Sequence, residues 1–591
     1  MPEYTPPLRD ISFVLDHIAD IDAITALPGF EHVDRDTIDG ALAEAGRFMA
    51  EVFAPTNRVG DQVGARLVDG HVVTPDEFKK AWTQYVEAGW NAVSGPAEFG
   101  GHGFPHVVGF AISEMMTAAN LAFSLCPMLT GSAITVLRDH GDDHLRSTYL
   151  EKLVTAEWTG TMVLTEPEAG SDVGALRTKA EPNDDGTWSI TGTKIFITWG
   201  DHDLADNIVH LVLARIPDAP PGTKGISLFV VPKFLVDADG GVGERNAIQC
   251  VSIEHKLGIH ASPTCVLSFE GATGWMLGEP NRGMRAMFTM MNQARVEVGL
   301  EGLAVSERAY QKALHYSKER RQGRAIDAPR NEQSPIIEHP DVRRMLMTMR
   351  AYNEAMRALL YDTAGAVDRA THHPDEHERN AARERAALLT PVAKAWSTDL
   401  AVEMTSIGVQ IHGGMGYIEE TGAAQFYRDS RITPIYEGTN GIQAIDLVMR
   451  KLPMAGGDVV RGYLREIEDL DGPLAAAGER FAAIRSRLAA GLEVLSNATS
   501  WMLTRDDPRD VLAGASPYLR IFGTVAGGAY LARLALAATP TSDDAWAEAK
   551  IATAEFYANQ LLPQVEGLVA AVEAGADELY AIDPAHLEPA S

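Results

Sequence analysis

The stretch Leu164-Thr-Glu-Pro-Glu-Ala-Gly-Ser-Asp-Val lies just after the point where the sequence changes from helical to strand-forming patterns. Upstream, Asp36-Thr-Ile-Asp-Gly-Ala-Leu-Ala-Glu-Ala begins with a capping residue and spaces its apolar side chains at helical intervals. From Trp158 to about Phe269, short β-branched runs such as Ile208-Val-His-Leu-Val-Leu-Ala are separated by turns rather than by helices. That spacing predicts an antiparallel β-barrel or sandwich.

Helical periodicity returns from Gly283 and continues past Arg450. The last region, about 455–591, is rich in alanine and also has helical patterns. The polar stretch from His372 to Asn380 contains three histidines, which could bind a metal, but a solvated loop or helix start is favoured and no metal site is predicted. The order along the chain is therefore helical, β, helical and then a helical extension.

Composition narrows the class of protein. With 591 residues, of which 46% are hydrophobic and 22% charged, the chain can bury a large core and should divide into several domains. The formal net charge of −30 argues against binding of nucleic acid, which depends on Lys and Arg. A polyanionic ligand would need a local basic patch on this acidic protein.

The three cysteines, Cys126, Cys250 and Cys265, have no CxxC spacing, so a reducing compartment is indicated and neither a disulfide framework nor a zinc site is expected. The N-terminal residues have neither a basic segment nor a long apolar core, and we expect no stretch apolar enough to span a bilayer. These features favour a cytoplasmic protein without a membrane span.

The stretch from Leu164 to Ser171 is a candidate ligand-binding loop. Thr165 and Ser171 supply hydroxyls, and Gly170 allows the backbone to approach a ligand closely. Such a loop can present N–H and O–H groups to a flavin ring or a pyrophosphate. On composition alone, an ordinary polar turn is the alternative.

The strand Thr193-Lys-Ile-Phe-Ile-Thr-Trp-Gly is a second candidate. Strand alternation predicts that Lys194, Phe196 and Thr198 share one face. Phe196 could then pack against a flat heteroaromatic ligand while Thr198 hydrogen-bonds to the edge of its ring. A solvent-facing strand with one aromatic residue is the alternative.

The third candidate is Glu437, in Arg428-Asp-Ser-Arg-Ile-Thr-Pro-Ile-Tyr-Glu-Gly-Thr-Asn-Gly-Ile-Gln. Pro434 interrupts a helix, and Glu437 stands beside Gly438 at the start of the next helical run. A carboxylate there can face an apolar pocket, where desolvation raises its pKa and makes it a better base toward a weakly acidic C–H. A carboxylate that only faces the helix dipole is the alternative.

Taken together, these segments resemble the acyl-CoA dehydrogenase family along nearly all of residues 40–450. The matching motifs are Thr-Glu-Pro-x-Ala-Gly-Ser-Asp at 165–172, Lys-x-Gly-x-x-x-Ser at 256–262, the glycine-rich helix end at 410–417 and Tyr-Glu-Gly-Thr at 436–439. The two ends of the chain look like the long bacterial subgroup of this family, which has a C-terminal helical extension and includes 3-methylthiopropanoyl-CoA dehydrogenases and broad-range fatty acyl-CoA dehydrogenases.

The resemblance completes the fold expectation, an α+β multidomain protein. We expect an N-terminal α-helical domain (1–158), a central antiparallel β-barrel or sandwich (159–275), a C-terminal four-helix bundle (276–452) and a helical extension (453–591).

The resemblance also implies a reaction. An FAD-dependent enzyme would oxidise an acyl-CoA thioester, either a fatty acyl-CoA or 3-methylthiopropanoyl-CoA, to the trans-2-enoyl-CoA. Glu437 would take the α-proton while flavin N5 takes the β-hydride, and the electrons would pass to electron-transfer flavoprotein. The thioester carbonyl would be held by the backbone N–H of Glu437 and a ribityl hydroxyl, an arrangement that stabilises the developing enolate charge.

The family's functional residues carry over to matching positions. The implied FAD contacts are Leu164, Thr165, Gly170, Ser171, Phe196, Thr198, Arg320, Gln410, Gly413, Gly414 and Thr439. The glycine-rich segment from Gln410 would reach the adenosine part of FAD in a neighbouring subunit. The implied substrate contacts are Ser171, Asn292, Arg295, Tyr436 and Gly438.

Some positions depart from the family pattern. Phe196 stands where the family often has Trp, the segment around Gln322 is one residue shorter, and Gly441 replaces the more usual Gln. Some members carry the base just before the arginine that matches Arg295, but this chain has Ala294 there, so the base is assigned to Glu437. Glu297 is interpreted as structural.

Other functions on this scaffold remain as alternatives. An acyl-CoA oxidase using oxygen is barely distinguished by sequence, and a flavin monooxygenase typically lacks the base. A DNA-binding relative would need a basic C-terminal surface, yet residues 455–591 contain 10 Lys and Arg against 20 Asp and Glu. A homo-oligomer is expected, with a dimer favoured over a tetramer. The helical extension would pack over the dimer or replace contacts that shorter, tetrameric relatives use.

Overall fold

The computed structural model describes residues 3–539 and 544–589, and the chain divides into two compact units. The first unit contains Met1–Pro6 and His32–Glu297, and the second contains Pro7–Glu31 and Val298–Ser591. The helices of residues 7–31 therefore belong with the C-terminal half of the chain, although the sequence analysis grouped them with the helices that follow. The four-part division itself stays a prediction.

α-Helices make up most of both units. In chain order they are α1 (Leu8–Val14), α2 (Ile21–Thr25), α3 (Arg35–Phe48), α4 (Ala54–Val63), α5 (Asp76–Glu87), α6 (His106–Ala119), α7 (Leu121–His140), α8 (Asp143–Val154), α9 (Gly283–Glu319), α10 (Pro340–His372), α11 (Glu376–His412), α12 (Ala423–Ser430), α13 (Asn440–Asp446), α14 (Asp458–Glu468), α15 (Asp471–Ala476), α16 (Ala482–Thr504), α17 (Pro508–Ala513), α18 (Ala515–Ala538), α19 (Ala545–Phe556) and α20 (Val569–Glu573).

Within residues 3–539 and 544–589, the β-strands all lie in the first unit. They are β1 (Arg66–Val68), β2 (His71–Val73), β3 (Trp158–Val163), β4 (Lys179–Pro182), β5 (Trp188–Thr198), β6 (Asn207–Ala214), β7 (Ser227–Pro232), β8 (Phe234–Val236), β9 (Val242–Arg245), β10 (Ile248–Ile253) and β11 (Thr264–Leu277). Strands β1 and β2 form one hairpin, and β8 and β9 form another.

The other strands form a seven-stranded sheet with the order β3-β6-β7-β11-β5-β4, in which β10 also pairs with β11. Strands β3 and β6 run parallel, whereas the remaining pairs are antiparallel. Strand β11 pairs with β5 through residues 264–274 and with β7 through residues 275–277, so it belongs to both halves of the sheet. The predicted central β-domain is confirmed, and the one parallel pair makes its sheet mixed.

Strand β6 is buried on both faces, which explains its continuous apolar sequence. Val209, Leu211 and Leu213 pack in the same core cluster as helices α7 and α8. Val212 and Ala214 point the opposite way, into a second cluster formed by the sheet. This two-residue alternation lets β6 pack against helices on one face and against side chains of other strands on the opposite face.

In the part of the chain that the structure describes, two helices, α7 and α18, are long and apolar enough to cross a membrane by length and composition. The expectation that no stretch is apolar enough was therefore wrong about the composition of these two helices. In the structure, 78% of the apolar window of α7 and 83% of that of α18 are buried. Such burial is typical of core helices, whose packing explains their apolar composition.

The second unit is built on three long helices, α9 from Val298 onward, α10 and α11, with α13 packed against α11. Helix α18 of the extension packs against α10 and α11. At Gly523 of α18, an added Cβ would lie 2.3 Å from Cγ of Trp396 in α11. Because only glycine permits this approach, the extension is an integral layer of the unit.

A buried charge cluster attaches the N-terminal helices to this unit. The ammonium of Lys550 in α19 lies 2.5 Å from Asp10 Oδ1 in α1 and 3.2 Å from Glu354 Oε2 in α10. Lys550 and Glu354 are both buried, so a single cation joins three helices that are distant in sequence. This cluster explains why the grouping of residues 7–31 could not be seen in their own sequence.

Candidate active site

Glu437 lies in a tight turn between α12 and α13 of the second unit. Its backbone φ is +54°, and that of Gly438 is +82°. A left-handed conformation at a non-glycine residue costs about 1–3 kcal/mol and persists only where the surroundings fix it. Thr439 is the N-cap of α13, so Glu437 stands outside the helix, two residues before the cap. The turn thus holds one half-buried carboxylate in a conformation that needs external support.

Support on the N-terminal side comes from Tyr436. Its hydroxyl donates a short hydrogen bond to Oε2 of Glu301, a buried residue of α9. Burial raises the pKa of the Tyr436 hydroxyl well above its usual value, and the carboxylates of Glu301 and Glu437 raise it further. Tyr436 therefore stays a hydrogen-bond donor at any ordinary pH, and it ties the residue before Glu437 to a long helix.

Support on the C-terminal side comes from α13. Gln443 Nε2 donates to the carbonyl oxygens of Glu437 at 3.4 Å and Gly438 at 3.3 Å. These two bonds fix both peptide groups that follow the Glu437 side chain. The left-handed backbone is therefore held directly as well as through Tyr436.

Asn440 fixes the start of α13 on α11. Its Oδ1 accepts a hydrogen bond from the buried ammonium of Lys394 at 2.8 Å. Its Nδ2 donates to Thr398 Oγ1 at 2.9 Å and to Asp399 Oδ1 at 2.6 Å. The side-chain oxygen and nitrogen of Asn440 both hydrogen-bond to residues of α11. These bonds fix the turn that carries Glu437 against the core of the unit.

The candidate flavin loop lies in the first unit, between β3 and β4. Glu166 and Ala169 exchange two backbone hydrogen bonds of 3.0 Å and close a turn. Gly170 and Ser171 are exposed, and a Cβ added at Gly170 would meet nothing within 4 Å. Leu164 and Thr165 are half-buried. The loop therefore leaves its backbone open at Gly170 and Ser171, and its contact with a ligand stays a prediction.

Strand β5 departs from the predicted alternation. Lys194 pairs with Leu267 and Ile197 with Cys265, so β5 has one extra residue between these pairs. Phe196 in this bulge has a φ of +58° and is 58% exposed, whereas Lys194 and Ile197 are buried. The prediction that Lys194 shares a face with Phe196 was wrong, because a β-bulge shifts the alternation by one residue. Phe196 and the half-buried Thr198 still point away from the core.

The predicted site residues fall in both units. The first unit holds Leu164, Thr165, Gly170, Ser171, Phe196, Thr198, Asn292 and Arg295. The second holds Arg320, Gln410, Gly413, Gly414, Tyr436, Glu437, Gly438 and Thr439. Their roles as cofactor and substrate contacts stay predictions.

The FAD contacts predicted in the second unit are at the surface. Arg320 is exposed just after α9, and Thr439 is exposed at the start of α13. Gln410 is exposed near the end of α11. Gly413 and Gly414 follow it with open space where a Cβ would lie, and Gly413 has a φ of +60°. Exposed N–H groups and one guanidinium are suitable contacts for a phosphate-bearing ligand.

The substrate contacts predicted on α9 are close to each other. Arg295 is buried, and its Nη1 donates to Asn292 Oδ1 at 3.4 Å. Two residues further along, Glu297 lines a cavity of about 100 Å³ within the first unit. Burial raises the pKa of Glu297 to about 8, so this carboxyl is protonated at neutral pH.

The same cavity contains a second neutralised group. Burial, together with the nearby charge of Arg138, lowers the pKa of His106 to about 4. The other lining side chains include Phe110, Met116 and Met128. At neutral pH neither titratable group carries a charge, so the cavity suits an uncharged ligand group. This environment of Glu297 is not predicted from its sequence position, although acidic residues at 297 and 301 in an apolar helical segment are a signal for it.

Comparison with known proteins places the chain in a family. Family models for the N-terminal, middle and C-terminal domains of acyl-CoA dehydrogenase match residues 42–157, 161–272 and 281–452. A model described as acetyl-CoA dehydrogenase C-terminal like matches residues 463–583. Together they extend over the helical, β, helical and extension regions in turn.

Individual relatives match over nearly their whole length. The 3-methylmercaptopropionyl-CoA dehydrogenase of Ruegeria pomeroyi is 48% identical, with 95% of this chain and 96% of the relative covered. A butyryl-CoA dehydrogenase of Syntrophomonas wolfei is 36% identical, with 97% of each chain covered. The solved structure of a Bacillus anthracis acyl-CoA dehydrogenase complexed with FAD superposes with a TM-score of 0.74. The superposition covers 95% of this chain and 91% of that one at 22% sequence identity, and it supports the fold.

The chain belongs to the acyl-CoA dehydrogenase family. It is an FAD-dependent oxidoreductase that dehydrogenates an acyl-CoA thioester. The resemblance inferred from four short motifs is thereby confirmed, and so is the cofactor.

The support for the Glu437 turn can be tested by replacing Tyr436 with Phe. The Tyr436→Phe variant removes the donor to Glu301, so we expect the free energy of unfolding to fall by about 1–3 kcal/mol. Because the turn loses one anchor, kcat should fall about tenfold with a smaller change in KM. Chemical denaturation and steady-state kinetics measure both effects. Tyr580→Phe, at an exposed tyrosine, is the control, and an unchanged kcat in Tyr436→Phe would contradict the role of this anchor.

Glu297 predicts a pH dependence of stability. Its pKa is about 8 in the folded state against an ordinary value of 4.5, so folded protein keeps a proton that unfolded protein releases between these values. This carboxyl therefore makes stability fall as pH rises from 4.5 to 8. In Glu297→Gln that contribution disappears. The free energy of unfolding of the variant minus that of the native protein should therefore be larger at pH 8 than at pH 5. Denaturation at both pH values measures the difference; parallel changes in the two proteins would refute the raised pKa.

Proposed function

We propose that this acyl-CoA dehydrogenase acts on a short acyl chain and that its substrate is 3-methylthiopropanoyl-CoA. The relative with 48% identity carries the name 3-methylmercaptopropionyl-CoA dehydrogenase, and the relative with 36% identity is named for butyryl-CoA. Both names denote short acyl groups. A longer fatty acyl-CoA is the alternative substrate.

The cavity beside Glu297 carries this proposal. Its volume of about 100 Å³ is small beside the roughly 300–1,000 Å³ of pockets that enclose drug-sized ligands. A methylthio or ethyl end group fits such a space, whereas a long alkyl chain does not. Its neutral carboxyl and imidazole impose no charge on the end group, and the thioethers of Met116 and Met128 are polarizable neighbours for a sulfur atom.

The exposed residues predicted to contact FAD fit that cofactor chemically. Phe196 offers an exposed aromatic ring, and Gly170, Gly413 and Gly414 leave their backbones open to a close ligand. Arg320 would meet the pyrophosphate, and the hydroxyls of Thr165, Ser171 and Thr198 would hydrogen-bond the ring system. When bound, FAD supplies the acceptor for the β-hydrogen and its electron pair.

Glu437 is the proposed base. Its carboxylate takes the α-proton, and its own backbone N–H, with the turn held by Tyr436 and Gln443, donates to the thioester oxygen. Holding the donor and the base in one fixed turn avoids reorganisation when enolate charge develops. Asn292 and Arg295 on α9, together with Ser171, Tyr436 and Gly438, are the proposed substrate contacts.

Replacing Glu437 with Gln tests the base. Glu437→Gln keeps the size of the side chain but cannot accept the proton, so substrate-dependent bleaching of the flavin should slow by about 1,000-fold or more. The variant should still purify yellow with FAD bound. Anaerobic mixing with acyl-CoA, followed at the flavin absorbance, measures the rate, and Glu419→Gln is the matched control at an exposed glutamate. Near-native bleaching in Glu437→Gln would exclude the assignment.

A cavity-filling variant tests the substrate. Gly131 of α7 lines the cavity, and a Cβ there would meet nothing within 4 Å, so Leu fits without displacing the backbone. In Gly131→Leu we expect kcat/KM for 3-methylthiopropanoyl-CoA and butanoyl-CoA to fall about 10- to 100-fold more than for propanoyl-CoA.

An acyl-CoA panel assayed with an artificial electron acceptor gives these ratios. Gly40→Leu, at an exposed glycine of α3 with open space around it, is the control. Equal losses for all substrates in Gly131→Leu would contradict the location of the acyl end group. A native enzyme that prefers long chains would contradict the short-chain proposal itself.

The remaining proposals concern partners and location. We propose that electrons leave to electron-transfer flavoprotein, that the protein forms a homodimer and that it is cytoplasmic. The three cysteines are buried and unpaired in disulfides, which is consistent with a reducing compartment. An oxidase is the alternative to electron-transfer flavoprotein, and rapid reoxidation of the reduced flavin in air would favour it.

A further inference from the structure

A buried ion pair lies directly beneath the candidate flavin loop. Lys194 is fully buried, and its ammonium lies 2.9 Å from Oε1 of Glu166. Glu166 belongs to the loop, and Lys194 stands two residues before Phe196 on β5. The pair thus joins the two segments of the first unit that the flavin proposal uses.

We propose that Lys194 and Glu166 are positioning residues, whose buried ion pair fixes the loop Leu164–Ser171 against the bulge of β5 and so sets the arrangement of Thr165 and Phe196 before FAD binds. The inference rests on the assignment of this loop and of Phe196 to the flavin.

Lys194 holds the loop at two points. Besides its contact with Glu166, its ammonium donates to the carbonyl oxygen of Leu164 at 2.9 Å. The Lys194 ammonium therefore hydrogen-bonds to both residues that flank Thr165. The backbone of Thr165 is also held, because its carbonyl accepts a hydrogen bond of 2.9 Å from the N–H of Ile195.

Glu166 is bonded in turn to the segment that leads into β4. Its Oε1 accepts two hydrogen bonds from Thr178, one from the backbone N–H at 3.0 Å and one from the side-chain hydroxyl at 2.6 Å. Its Oε2 accepts one from the N–H of Arg177 at 2.6 Å. With Lys194 these make four donors to one carboxylate, which fix its position from several directions.

Both members of the pair are charged at neutral pH. Burial lowers the pKa of Lys194 to about 8 in spite of Glu166, which leaves the ammonium protonated. Burial opposes ionisation of Glu166, but Lys194 and the hydrogen bonds from Thr178 and Arg177 lower the pKa of its carboxyl overall. The contact is therefore a true ion pair with directional hydrogen bonds.

The pair also bears on the conformation of Phe196. Phenylalanine rarely adopts a left-handed backbone, and here it does so while exposing most of its ring. The residues just before it are fixed, Lys194 by the ion pair and Ile195 by Thr165. Bulges that redirect a side chain are common beside active sites. The ion pair holds the strand on the N-terminal side of this bulge.

A role in stability alone would not require charges. Well-packed apolar residues of similar volume often replace a buried ion pair at no cost in stability, because they avoid desolvation of two charges. What they cannot replace is the set of directional hydrogen bonds that joins the loop to the strand. The two roles can therefore be separated by experiment.

The experiment compares FAD binding with stability. Lys194→Met, Glu166→Gln and the apolar pair Lys194→Met/Glu166→Leu would be purified as holoenzyme and stripped of FAD. Lys550→Met is the matched control, since Lys550 is also a buried lysine paired with carboxylates, but in the second unit. Thermal unfolding of each apoprotein, FAD titration by fluorescence and the visible spectrum of bound flavin are the readouts.

We expect Lys194→Met and the apolar pair to bind FAD about tenfold or more weakly, with a shifted flavin absorption band, because a displaced loop loses aligned contacts. Glu166→Gln still accepts the lysine hydrogen bond and should be intermediate. Lys550→Met should lower the unfolding temperature yet change FAD affinity by less than about twofold.

Native FAD affinity and an unshifted spectrum in a folded Lys194→Met or apolar-pair variant would overturn the inference. If Lys194→Met does not fold, the apolar pair and Glu166→Gln provide the same readouts. Phe196→Ala distinguishes a failure of the positioning role from a failure of the flavin assignment. Weakened FAD binding in Phe196→Ala with native binding in the ion-pair variants would reject only the positioning role, whereas native binding in Phe196→Ala as well would reject the flavin assignment.

Discussion

The left-handed backbone of Glu437 is the constraint on which the proposed chemistry depends. A carboxylate on a free loop would sample many positions, and a left-handed glutamate would relax if nothing held it. Tyr436 ties the turn to α9 through Glu301, and Gln443 holds the two peptide groups that follow Glu437. The long helices of the second unit, and the extension packed against them, give these anchors a rigid base.

Three glutamates illustrate how environment assigns different roles to one side chain. Glu437, the proposed base, is half-buried in the turn, and a base needs access to its substrate. Glu301, one turn beyond Glu297 on α9, accepts the hydrogen bond of Tyr436 and serves as an anchor. Glu297 lines a cavity, where burial raises its pKa and removes its charge. Residue type alone would not distinguish these roles.

The sequence predicted the order of helical and β regions and the family, because the motifs at 165–172 and 436–439 are specific. It predicted the wrong face for Lys194, because a bulge depends on the register between β5 and β11, which are far apart in sequence. The contact of Asp10 with Lys550, which joins residues 7–31 to the second unit, spans most of the chain and has no signal in the local sequence. The parallel pairing of β3 with β6 and the cavity beside Glu297 depend in the same way on tertiary packing.

A structure of the holoenzyme with a non-reactive acyl-CoA analogue would show where the Glu437 carboxylate lies relative to the substrate. We expect a carboxylate oxygen of Glu437 to lie about 3–3.5 Å from the α-carbon, a distance suited to reaction, and its backbone N–H to donate to the thioester oxygen. A complex in which the Glu437 carboxylate points away from the α-carbon, or in which Glu297 or Glu301 occupies that position, would contradict this expectation.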